Sequence, residues 1–285
     1  MQIAVSSYSF SGIMRTGELN QFTIISKAKE MGFDAIEFVD ILPHDGSAPA
    51  EYAKKLRKEC ARVGLPVSNF TFGADFINCP DRMAEIERVK GMVDLAEALG
   101  TKSVRHDAAV GKTEISFDQA LPILADACRQ VTEYAAAKGI GTMVENHGFF
   151  CQDSLRVERL YNAVNHPNFG LLCDMGNFLC ADEDPAKAVG IVAPYTRYVH
   201  AKDFHVQPAQ GIDPGEGFFQ SRNGTYLRGA IIGHGNVPVL HCLTALKRAG
   251  YSGSIAIEFE GMEAPAPALK IGLANLKRYV RQAGF

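Results

Sequence analysis

Apolar residues gather in short runs along the chain, and between the runs they recur at helical spacing. The runs fall at residues 3–8, 33–39, 67–71, 102–106, 140–144, 169–173, 197–200 and 254–259. Their near-continuous apolar character predicts strands buried on both faces. Helical spacing fills residues 22–31, 50–63, 81–99 and 117–138, with further helical stretches between the later runs and over a 269–280 tail. A glycine closes each of the first four helices (Gly32, Gly64, Gly100, Gly139), a common way to end one. The pitch from strand to strand is about 27 to 40 residues through the first seven runs, the size of a βαβ unit. The last interval, from His200 to Ser254, is roughly twice as long. Residues 203–232 within it are rich in Gly, Pro, Phe and polar side chains and lack helical periodicity. They are expected to form a long loop without secondary structure, a lid or binding loop or else an oligomer contact.

Alternating β-α units with no linker-like shift in composition predict one closed (β/α)8 TIM barrel over residues 1–285. An open doubly wound sheet fits less well. No Gly-x-Gly-x-x-Gly follows the first strand, and the acids gather at the ends of late strands rather than at one switch point. The 269–280 helix is expected to lie under the barrel with a basic exposed face. A chain of 285 residues, 47% hydrophobic and 21% charged with a net charge of -3, is long and apolar enough for such a core. The same balance argues against disorder and against a nucleic-acid partner. The 7 cysteines, an odd number without a Cys-x-x-Cys pair, read as reduced thiols. No secretory-type leader opens the chain and no apolar run reaches about 18 residues. A cytoplasmic protein without a membrane partner is expected, and a homo-oligomer is left open.

Candidate chemistry sits where strands end. Glu145, Asp174, His200 and Glu258 lie at or near the C-terminal ends of the fifth to eighth predicted strands. Neighbouring strands are about 4.8 Å apart, so four consecutive ends can converge above the mouth of a barrel. Singly, each acid reads equally well as a helix cap or salt-bridge partner, and the histidine as a structural residue. Together, three carboxylates and one imidazole form an oxygen-rich set suited to one divalent metal ion, Mn, Mg or Co, with Zn also compatible. Burying those carboxylates without a cation would cost several kcal/mol apiece.

The motifs Glu145-Asn-His147, Cys173-Asp-Met-Gly-Asn177, Val199-His-Ala-Lys-Asp203 and Ile257-Glu-Phe-Glu-Gly261 resemble those of the xylose-isomerase-like TIM barrels, the sugar phosphate isomerase/epimerase superfamily. Phe33-Asp-Ala-Ile-Glu37 resembles the second-strand motif of the same group. The resemblance implies that Glu145, Asp174, His200 and Glu258 are metal ligands, with Glu260 a rival for the last place. It further implies that Glu145 and Glu258 are paired bases acting next to a carbonyl of a sugar or sugar-like polyol. Returning the proton to the same carbon would epimerise the substrate; returning it to the neighbouring carbon would isomerise it. A dehydratase acting on a keto-inositol-like substrate and a non-catalytic metal or sugar-binding barrel are the alternatives.

Two departures from the pattern matter. Asn177 stands where epimerases and endonuclease IV-like barrels of the superfamily have a histidine. Leu227-Arg-Gly229 stands where the endonuclease pattern has an Asp-Arg-His that supplies ligands to the second and third metals, which argues against a trinuclear phosphodiesterase. Glu37, His106, Asn177, Lys202 and Arg228 are candidate substrate contacts, and His147 is expected to contact substrate or orient Glu145. Lys202 either neutralises an enediolate or substrate carboxylate, or pairs with Asp203 or Glu260. Phe10, Phe70 and Phe72 are candidate pocket walls or core. The position of His234 relative to the site is left open.

Overall fold

The computed structural model describes residues 1–285. Eight parallel strands close into a barrel: β1 (Ile3–Ser6), β2 (Ala35–Val39), β3 (Val67–Phe72), β4 (Ser103–His106), β5 (Gly141–Glu145), β6 (Phe169–Asp174), β7 (Thr196–Ala201) and, after an excursion, β11 (Ile255–Ile257). Closure joins β1 to β11 at Ile3↔Ile255, and β1 pairs on its other side with β2 at Ala4↔Ala35. The chain is therefore a single (β/α)8 TIM barrel.

Around the barrel run α1 (Ser11–Arg15), α2 (Thr23–Met31), α3 (Pro49–Val63), α4 (Arg82–Leu99), α5 (Phe117–Ala137), α6 (Ser154–Val164), α7 (Asn177–Cys180), α8 (Pro185–Val192), α9 (Val239–Arg248) and α10 (Pro265–Gln282). Their ends obey local chemistry. Asp81 caps α4 by accepting from the N–H groups of Met83 and Ala84. Ser116 and Gln119 form a reciprocal capping box on α5. Gly32 and Gly64 end α2 and α3 at φ of 88° and 70°, a region that a side chain disfavours.

Strand alternation sorts the side chains. Outward positions join the helices in one apolar layer that includes Phe10, Phe70 and Phe72. Inward positions at the lower end are small or apolar, as at Ala35, Met143, Leu172, Tyr198 and Ala256. Two residues further along the same strands the inward positions become Glu37, Glu145, Asp174, His200 and Glu258, all buried. A period of two thus carries each strand from a dry plug to an ionisable mouth.

The structure corrects two expectations. The segment after β7 is folded: β8 (Asp203–Gln207), β10 (Tyr226–Ala230) and the short β9 (Phe219–Gln220) make an antiparallel sheet in the order β8-β10-β9. Its strands alternate over too few residues to stand out, and its own core is only Phe204, Leu227 and Cys180. The tail helix does not lie under the barrel. It packs beside α9 and β11 in the outer ring, because burying Leu269, Leu273, Leu276 and Val280 needs the barrel wall. Lys270, Arg278 and Arg281 do occupy its exposed face.

Both ends of the excursion meet at Asp203. Its buried carboxylate accepts from the N–H groups of Phe204, Gly233, Gly235 and Val237 at 2.9 to 3.0 Å. Further along, Gly229 lies so close to the loop after β11 that a Cβ there would come 2.5 Å from the Glu260 backbone. The excursion is stapled at its neck and pressed onto the strand end that carries Glu258. Asp203→Ala, which strands those donors, is expected to cost about 3 kcal/mol. Urea unfolding should show a lower midpoint at unchanged slope; an unchanged midpoint would mean that other contacts hold the neck.

Candidate active site

Glu145, Asp174, His200 and Glu258 converge: one ligand atom from each lies within 4.8 Å of the others, and all four residues are buried. His200 Nδ1 is the centre, 3.4 Å from Glu145 Oε1, 3.7 Å from Asp174 Oδ2 and 3.6 Å from Glu258 Oε2. Its Nε2 lies 2.7 Å from Glu37 Oε2. Glu37 accepts there, and its other oxygen accepts from Asn69 and Thr71. A proton held on Nε2 leaves the Nδ1 lone pair aimed among three carboxylates.

His200 Nδ1 and Asp174 Oδ2 are buried without a hydrogen bond. Lys202 Nζ approaches Asp174 Oδ2 to 3.2 Å, an ion-pair distance off the hydrogen-bond direction. Such orphaned donor atoms, facing one another in a set rich in carboxylate oxygen, fit a divalent cation. Burial opposes a charged imidazole at His200, yet the charges of Glu37, Glu258 and Glu145 outweigh it and raise its pKa well above the usual range. Without a cation, a proton on Nδ1 is the substitute.

Two fixed cations flank this set. Lys202 Nζ lies 2.6 Å from Glu258 Oε2 and 3.6 Å from Glu260 Oε2, and it donates to Asn177 Oδ1 at 3.2 Å. It does not pair with Asp203, whose carboxylate is occupied at the neck of the excursion. Burial works against the ionised form of Glu258, but Lys202 and His200 hold its carboxyl well below the usual range. Glu145 is likewise lowered, burial being outweighed chiefly by Arg105 and then His200. Asn177 bridges the two halves: its Nδ2 donates to Glu145 Oε1 at 3.0 Å and its backbone N–H to Asp174 Oδ1 at 2.9 Å. Asn146 pins the backbone on both sides of Asp174. Glu258 belongs to the converging set and Glu260 does not.

Arg105 and Asp107 were not among the sequence candidates. Arg105 Nε sits 2.5 Å from Glu145 Oε2 as an ion pair that is not aligned as a hydrogen bond, and Nη2 is 2.9 Å from Asp107 Oδ1. The signal was parity: Arg105 is in register with the inward Met143, two residues before Glu145, so it must point inward. His106 consequently points outward, correcting its assignment as a substrate contact. It packs on Phe72 and Phe76, Nδ1 lies 2.7 Å from the Asp107 carbonyl oxygen, and burial drives its pKa down to about 4.

The structure places the remaining candidates as follows. Glu37 holds His200 from behind and is sealed from the mouth. His147 Nδ1 lies 2.8 Å from Asp107 Oδ1, so it connects to Glu145 only through Asp107 and Arg105. Burial opposes its charged form, and Asp107 outweighs this to raise its pKa. Arg228 lies in the excursion with its guanidinium 5.3 Å from the centre of the Phe218 ring, outside the converging set. Phe10, Phe70 and Phe72 belong to the core between strands and helices rather than to a pocket wall. His234 occupies an exposed turn.

Comparison with known proteins agrees with the barrel fold. A family model described as xylose isomerase-like TIM barrel matches residues 25–279. A 3-dehydroshikimate dehydratase of Pseudomonas putida is 25% identical over 264 residues, 90% of this chain. The chain spans 38% of the length of that curated relative. Among solved structures, an L-ribulose 3-epimerase superposes with a TM-score of 0.73 at 19% identity, covering 99% of this chain and 95% of that one. A xylose isomerase-like TIM barrel protein from Mycobacterium smegmatis in complex with magnesium superposes at 0.74 and 16% identity, covering 99% and 98%. At such identities these structures share the fold. No helix of this chain is long and apolar enough to cross a membrane. The chain belongs to the xylose isomerase-like TIM barrel family.

Proposed function

We propose that the protein is a divalent-metal-dependent isomerase or epimerase of a sugar or sugar-like polyol, acting by proton abstraction next to a carbonyl. The observation that carries this reading is the meeting of Glu145, Asp174, His200 and Glu258 around two buried, unpartnered ligand atoms. These four residues would hold the ion. When bound, a divalent cation supplies Lewis-acid polarisation of a substrate carbonyl.

The remaining work falls to the chain itself. Glu145 and Glu258 come from non-neighbouring strands and are both held ionised, as two carboxylate bases require. One removes the proton from the carbon beside the carbonyl; return by the other to that carbon inverts it, whereas return to the former carbonyl carbon, with the neighbouring hydroxyl proton passing to the former carbonyl oxygen, moves the carbonyl. Lys202 places positive charge beside Glu258, where it opposes the negative charge that develops on substrate oxygen. Glu37 and Arg105 are positioning residues that orient His200 and Glu145.

The Asp107–His147 pair favours a second reading, a dehydratase. After a glutamate takes the proton, the electron pair left on carbon forms the double bond and expels the β-hydroxyl. A proton from the His147 imidazolium would convert that hydroxyl to water. The 25% identity to a dehydratase supports this version of the same first step.

Three outcomes test these readings. Metal-loaded protein incubated in D2O with a panel of ketoses and keto-inositols should place deuterium on a carbon next to the carbonyl, read by NMR. An epimer or isomer distinguishes the first reading from the loss of water expected of the second. Glu145→Gln and Glu258→Gln should each slow exchange by roughly 100-fold or more; full activity in both variants would remove the paired-base mechanism.

Added Mn should raise the melting temperature, because a ligand at 100 times its Kd adds about 2.7 kcal/mol. Asp174→Asn should abolish that rise, and a rise that persists would place the ion elsewhere. The apparent affinity for Mn should weaken as pH falls. The raised pKa of His200 means that a proton competes for the Nδ1 position, and acid favours the proton.

A further inference from the structure

Beside the barrel mouth lies a cavity of about 750 Å³ that the proposed chemistry does not use. It is built by the loop from β4 to α5, the loop after β5 and the β9–β10 turn of the excursion. Lys112, Arg156 and Arg222 line it, and no acidic residue does. In a chain whose net charge is -3, that concentration of positive charge is local rather than general.

The two arginines are already fixed. Arg156 stacks near the Phe117 and Phe150 rings at 5.2 and 5.5 Å and donates to the Phe150 carbonyl at 2.8 Å. Arg222 donates to the Phe149 carbonyl and to Asp153 Oδ2. Both guanidinium groups share the single Asp153 carboxylate, at 3.3 and 3.0 Å, so positive charge remains in excess. Lys112 is exposed and makes no ion pair or hydrogen bond.

Phe149 adds an independent observation. Its φ is 64°, a left-handed conformation that an aromatic residue rarely adopts, and the residue is 39% exposed. The bonds from Arg222 to its carbonyl and from its N–H to Gln152 Oε1 hold it there. Strain of this kind persists where the surroundings over-determine it, and it turns an apolar ring toward solvent at the cavity edge.

We infer that this cavity takes the anionic end, phosphate or carboxylate, of an extended substrate whose carbonyl end occupies the converging acid site. The inference rests on the function proposed above. Only three residues lie between Glu145 and Phe149, a Cα span of at most about 14 Å, short enough for one extended molecule to bridge. Preorganised guanidinium groups favour such an anion because their rotamer entropy is already lost before it binds.

Backbone amide NMR shifts of the metal-loaded protein, titrated separately with inorganic phosphate, acetate and glycerol, test the inference. One or both anions should move the amides of Lys112, Phe149 and Arg222, and glycerol should not. A stronger response to phosphate identifies a phosphate ester; a stronger response to acetate identifies a carboxylate. Lys112→Ala should weaken the response roughly tenfold while the Mn-induced rise in melting temperature stays as in the parent. No response to either anion, equal shifts with glycerol, or an undiminished response in both Lys112→Ala and Arg222→Ala would overturn the site. Failure of the metal reading would appear separately, as absence of the Mn-induced rise.

Discussion

Negative charge crowded into a space closed to water is the constraint that the rest of this structure accommodates. Glu37, Glu145, Asp174 and Glu258 are all buried around one imidazole. Two unit charges 4 Å apart repel by about 4 kcal/mol even at an effective dielectric near 20. Arg105 and Lys202 offset part of that repulsion, each from a different side. The proximity of three carboxylates to His200 Nδ1 is the part they leave. A divalent cation would satisfy it with the residues present, and the raised pKa of His200 is the same imbalance expressed as a proton.

Much of the surrounding architecture holds these charges in place. The small and apolar residues lower in the barrel exclude water from beneath, so every carboxylate must find its partners at the mouth. Gly176 admits the Lys202 backbone at a distance that a Cβ would reduce to 2.9 Å, which brings the β6 and β7 ends together. Gly229 admits the Glu260 backbone, so the excursion sheet presses on the strand end bearing Glu258. Asp203 closes the neck with backbone hydrogen bonds. The segment that composition marks as a loop without secondary structure is instead a small sheet pressed on the barrel, with its turn contributing Arg222 to the neighbouring cationic cavity.

The alternation of apolar runs and helical segments was enough to predict the barrel, because each βαβ unit must bury a strand on both faces and cover it with a helix. The converging set was legible for a related reason: Glu145, Asp174, His200 and Glu258 each end an apolar run, and barrel closure brings such ends together whatever the loops do. The excursion sheet leaves little trace in the pattern because its strands are short and share a three-residue core. Arg105 is legible only through strand alternation, which points it inward with Glu145; a lone cation inside an apolar strand belongs to no motif.

Sequence therefore determined which strands exist, which of them end in acid or imidazole, and that those ends share one mouth. Only the tertiary structure decided which partner each charge takes. It placed Lys202 with Glu258 and Asp174 rather than with Asp203, Glu37 behind His200, Asn177 between Glu145 and Lys202, and His147 on Asp107. The physical reason is that a pattern of period two fixes the face on which a side chain lies, whereas an ion pair forms over a few ångströms across strands. Those last distances depend on register, barrel closure and the glycines that let backbones touch.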